Sequence, residues 1–118
     1  MIGVDAHELE PHRAGVARYL REALRALSEI PAVRERWRFP LFSPSSVEPD
    51  SFLENEMFEK TILKSRSYAL FLMALLPYAA CRRKVDLLWF PSYQLPYTWR
   101  GRALVTIDFP RSNPVTAG

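Results

Sequence analysis

Two stretches of this chain, Asp86-Leu87-Leu88-Trp89-Phe90 and Ala103-Leu104-Val105-Thr106-Ile107, are apolar in runs rather than at every second position. A strand with one face in water alternates apolar and polar residues, whereas a strand covered on both faces has no reason to alternate. Met1-Ile2-Gly3-Val4-Asp5 has the same character and ends in an acid. Between such runs lies a different period. Val16, Tyr19, Leu20, Ala23, Leu24, Leu27 and Ile30 recur at helical spacing and form one apolar stripe. Buried strands alternating with helices predict an α/β fold, a mostly parallel sheet with helices on both faces.

The remaining elements follow from local chemistry. Arg18/Glu22 and Arg25/Glu29 stand four apart on the polar side of the first helix and can pair there. Pro31 ends that helix. Arg38 to Ser43 reads as a second strand, although Pro40 lacks the N–H that a central strand uses. Lys60 to Lys64 reads as a third strand, and Ser67 to Lys84 as a helix interrupted by Pro77. Pro91 to Gly101 is a loop, and Phe109 to Gly118 has no periodicity. With 118 residues the chain suffices for one domain with a modest core.

Charge divides unevenly. Residues 1–60 carry 8 basic and 11 acidic side chains, net −3, and residues 61–118 carry 8 and 2, net +6. The basic half suits either a solvated face or an anionic partner such as a phosphate-bearing ligand or a membrane surface. No nucleic-acid module is recognisable, and no nucleic-acid partner is expected. The apolar run Tyr68 to Cys81 spans 14 residues, too few to cross a bilayer. Lys64 and Arg66 before it and Arg82, Arg83 and Lys84 after it would suit peripheral contact at the inner face of a membrane. The run has almost no polar face, which favours a helix packed on the sheet. Cys81 alone excludes an internal disulfide, gives no metal cluster and points to a reducing compartment, and Asp5 arrives too early for a secretory leader. A cytoplasmic location is the expectation.

In open α/β sheets ligands bind outside the carboxyl ends of the strands. Three such ends carry candidates: the loop with His7, His12 and Gly15, the loop with Ser92 and Tyr93, and Asp108. Gly15 sits where the first loop enters the helix. It either makes the turn or lets a phosphate approach the free N–H groups of the helix end. His7 and His12 match no metal or triad pattern, and position alone makes them surface loop residues rather than catalysts. Asp108 is either a hydrogen-bonding or catalytic carboxylate or a turn residue at a strand exit.

Ile2-Gly3-Val4-Asp5-Ala6, then Gly15-Val16-Ala17-Arg18-Tyr19-Leu20, resembles the N-terminal start of the glycosyltransferase family 4 (group 1) enzymes of GT-B fold. Leu76-Pro77, the Asp86 to Tyr93 stretch with Leu95-Pro96, and Val105-Thr106-Ile107-Asp108 resemble later motifs of that family, in order. The resemblance implies a Rossmann-like N-terminal domain of a retaining transferase, facing a nucleotide-sugar donor and a sugar or lipid-linked acceptor. It places Gly15 and Val16 near the donor phosphates, His7, Arg18, Ser92 and Tyr93 along the acceptor cleft, and Asp108 as the catalytic candidate. No metal or other cofactor is expected. Two departures accompany it. The family's histidine before the aspartate is absent, since Ile107 precedes Asp108 directly. The family's donor-binding C-terminal domain is also absent, so the chain is expected to be inactive unless a partner chain completes it. The alternative is a binding or assembly module that kept the fold without the chemistry, with an unpaired sheet edge open to a partner or to a second copy.

Overall fold

The structure is a computed structural model that describes residues 1–9, 16–47, 49–91, 96 and 98–106, with Glu8 and Val16 described by their backbone alone. Five strands, β1 (Ile2–Asp5), β2 (Phe39–Ser43), β3 (Phe58–Ile62), β4 (Leu87–Phe90) and β5 (Ala103–Val105), form one all-parallel sheet in the order β3-β2-β1-β4-β5. This is a Rossmann-like α/β arrangement. The expected strands are present, with shifted ends. β3 starts and ends two residues earlier than the Lys60–Lys64 reading, and β5 ends at Val105, with Thr106 outside it and Ile107 outside the described residues.

Helix α1 (Val16–Ser28) covers one face of the sheet. Leu20 and Leu24 are fully buried against Val4, Leu41 and Trp89, and Ala17 joins them as a buried residue. Burying each leucine contributes about 2 kcal/mol. The exposed Arg18–Glu22 pair on the opposite side, at 3.6 Å, contributes about 0.3–0.5 kcal/mol. The apolar stripe therefore orients the helix. It is narrower than its spacing predicts: Tyr19 is 47% and Ile30 45% exposed. Ile30 falls beyond the last helical turn, and so does Glu29. Arg25 accordingly pairs with Asp50 at 3.6 Å and lies over the Phe52 ring. Pro31 both follows α1 and opens a short α2 (Pro31–Arg36), where a missing N–H costs nothing.

Pro40 lies inside β2, between two neighbouring strands. The Phe39 N–H donates to the Met57 carbonyl on the β3 side. Alternation then turns the Pro40 nitrogen toward β1, where its absent hydrogen is felt. The Ile2 N–H still donates to the Arg38 carbonyl, and beyond Pro40 the β1–β2 register runs through Val4↔Leu41 and Asp5↔Phe42.

The second face is covered by one continuous helical stretch: α3 (Tyr68–Leu70), a π-helical turn (Phe71–Leu75) and α4 (Leu76–Arg83). Phe71, Leu72, Leu76 and Ala80 pack there against Phe42, Leu88 and Phe90. The packed-helix reading of this apolar run holds, and no helix among the described residues is long and apolar enough to cross a membrane. Pro77 explains the π turn. Its ring would collide with the carbonyl of Met73 in a regular α-helix, and it offers that carbonyl no N–H. The helix widens, with Leu76 N–H bonding to the Phe71 carbonyl, and the Thr98 hydroxyl donates to Met73 O at 2.5 Å. Lys84 ends the helix in the left-handed conformation, φ 55°.

Candidate functional site

The chain lays down β1, β2 and β3 in one direction and then returns to the far side of β1 for β4 and β5. The connections therefore leave β1 and β4 in opposite directions, and the carboxyl ends of these two strands form the topological switch point at which open α/β sheets bind ligands. β1 delivers Asp5, Ala6 and His7 to that place. Ala6 N–H donates to the Phe42 carbonyl, and Leu9 N–H closes a 3₁₀ turn onto the Ala6 carbonyl. The backbone that carries His7 is thus tied to β2 and to itself.

Asp5 is fully buried, and its alternation with Val4 sends its side chain to the α3–α4 face of the sheet. A buried carboxylate is costly unless donors surround it. Asp5 Oδ1 lies 3.0 Å from His7 Nδ1 and accepts from the His7 backbone N–H at 3.3 Å. Asp5 Oδ2 accepts the Tyr68 hydroxyl at 2.9 Å. A carboxylate oxygen accepts, so the hydrogen between the two groups is assigned to Nδ1. The His7 ring also packs on Tyr68, centroids 4.1 Å apart, and Tyr68 stacks on Phe71. The imidazole has its orientation and one face set by neighbours. It is a pre-organised polar group at a ligand-binding end of the sheet.

No family model, curated protein or solved structure matches the chain.

The candidate residues fare differently. His7, read from position alone as a surface loop residue, is buried and partnered. A two-residue spacing from a buried Asp, closed by a 3₁₀ turn, folds it inward. Arg18 projects from the outer side of α1, its side chain 85% exposed and paired with Glu22. Val16 is the first residue of α1. Gly15, His12, Ser92, Tyr93 and Asp108 lie outside the described residues. Two members of the site escaped the sequence reading. Asp5 carried a signal, an acid closing an apolar strand with a histidine two residues on. Tyr68 carried none, because 63 residues separate it from Asp5. No group of three or more His, Cys, Asp and Glu side chains that could hold a metal occurs among the described residues. Cys81 is exposed and free, on the outer side of α4.

Proposed function

We propose that this chain is the N-terminal, acceptor-side portion of a retaining glycosyltransferase of GT-B type that uses a nucleotide-sugar donor and works only with a donor-binding domain. The observation that carries this reading is the Asp5–His7 pair at the carboxyl end of β1, at the point where the strand order reverses. The residues Ile2 to Ala6, part of the stretch that resembles the start of family 4 transferases, lead into that pair. A sugar acceptor offers hydroxyl groups, and a ring whose orientation is already fixed binds a hydroxyl with little further loss of freedom. His7 takes that role, with Asp5 and Tyr68 as positioning residues. Gly15 and Val16 belong on the donor-phosphate side, where N–H groups at the start of α1 favour an anion.

The test is an NMR titration of the ¹⁵N-labelled chain with uridine and guanosine diphosphates and with free hexoses. The expected result is shifts centred on Asp5, Ala6, His7 and Val16, a sugar response weakened at least tenfold by His7→Gln, and no turnover of a nucleotide sugar. Shifts confined to other strands overturn the site. Turnover by the chain alone overturns the need for a second domain.

The alternative, a non-catalytic assembly module, is favoured by one observation. Among the described residues β5 is an edge strand, and Leu104 on it is 50% exposed beside Trp37 and Trp89. Sedimentation showing a concentration-dependent dimer that Leu104→Lys abolishes would support that reading, and a monomer at every concentration would remove it.

A further inference from the structure

A concavity lies at the carboxyl ends of β2 and β3. It is a groove of about 840 Å³, within the size range of small-molecule sites. The chain continues past β3 alongside β2, since Leu63 N–H donates to the Ser43 carbonyl and Ser65 N–H to the Pro44 carbonyl. Along this extended segment Ile62, Lys64 and Arg66 recur at every second position, and all three line the groove. Pro44 and Leu70 complete its apolar walls. Ile62 is 41% and Leu70 53% exposed, so these walls are uncovered apolar surface. No acidic residue lines the groove, and neither Lys64 nor Arg66 forms an ion pair among the described residues. The turn that carries Arg66 is held by the Ser65 hydroxyl, which donates to the Ser67 carbonyl and accepts the Ser67 N–H.

An apolar trough bordered by two uncompensated cations has the polarity of a ligand with an aliphatic body and an anionic head. We propose that this groove binds a single-chain anionic amphiphile as a monomer, its chain on Ile62, Leu70 and Pro44 and its phosphate between Lys64 and Arg66. Arginine suits the head because its planar fork can hold two phosphate oxygens at once. A monomer is favoured over a membrane surface because the apolar residues line an open concavity of single-ligand size, and a flat bilayer would reach only its rim. The claim rests on the groove alone and is independent of the transferase reading.

The experiment titrates octyl phosphate, octanol and inorganic phosphate separately into the full chain at low salt, with methyl NMR as the readout. Octyl phosphate should give saturable shifts at Ile62 and Leu70, and the other two should bind at least tenfold more weakly. The double variant Lys64→Gln/Arg66→Gln should lose at least tenfold in octyl phosphate affinity. Both side chains are exposed, so its melting temperature should stay unchanged. Ile62→Ser should weaken octyl phosphate and leave inorganic phosphate as it was. Equal binding of octanol, shifts centred elsewhere, or a charge variant that binds like the parent would each overturn the proposal. So would attachment to phosphatidylglycerol vesicles without any saturable response to the monomer, which would assign the basic residues to a membrane face.

Discussion

The Tyr68 hydroxyl donates to Asp5 Oδ2 at 2.9 Å, joining the start of the second helical face to the end of the first strand. The bond supports a carboxylate with no contact to water. Hydrogen bonds to charged groups contribute about 1.5–3 kcal/mol. Tyr68→Phe keeps the ring packing and removes only the donor, so urea denaturation should show a loss of about 2 kcal/mol. In an Asp5→Ala background the same change should cost far less. Equal costs in both backgrounds would show that the two groups are not coupled.

Gly3 stands on the same side of β1 as Asp5, between two neighbouring strands. A Cβ there would meet Leu88 Cδ1 at 2.7 Å and Phe42 Cε2 at 3.0 Å. Both neighbours are fully buried and cannot swing into solvent. Gly3→Ala should therefore destabilise by about 1–3 kcal/mol through overpacking. A melting temperature equal to the parent's would show that the strands can part to admit a methyl group.

Pro77 and Thr98 are linked through the Met73 carbonyl, which the first leaves open and the second fills. Thr98→Val should cost about 0.5–1 kcal/mol, a modest figure because water can reach the site. Pro77→Ala restores an N–H to that carbonyl and should make Thr98→Val nearly silent. A double-mutant cycle with no coupling would refute the link.

The Met1 ammonium donates to Asp86 at 2.7 Å, and this hydrogen bond and its charge hold the carboxyl below its ordinary 3.8. A folded value below the unfolded one means that the ionised pair favours the fold above about pH 3.8. That contribution fades as pH falls through the folded value. Carboxyl-detected NMR titration should read Asp86 below 3.8, and acetylation of the amine should raise it. No change on acetylation would disprove the assignment.

The boundary between local and tertiary information runs through particular residues. Leu87 to Phe90 and the Leu20–Leu24 stripe were legible because strand and helix periods are set by burial of neighbouring side chains, a property of short windows of sequence. The same windows misplaced Tyr19, Glu29 and the ends of β3, where a helix end or a strand partner decides. Pro40 argued against a central strand, yet that strand tolerates it because only one N–H is missing, on the β1 side, while the Ile2 and Ala6 N–H groups still bond β1 to β2 on either side of it.

By itself the sequence determined the α/β class, the parallel strands and the packed helix, read over 67–84 and found over 68–83. Only the tertiary structure decided that β1 lies between β2 and β4, that His7 turns inward onto Asp5, and that Tyr68 completes the group. It also decided that Lys64 and Arg66 border a trough with Ile62. The physical reason is the same in each case. Apolar burial is written residue by residue along the chain, whereas a buried carboxyl group must find its donors wherever the fold brings them, and here one comes from the turn two residues on and the other from a helix start 63 residues away.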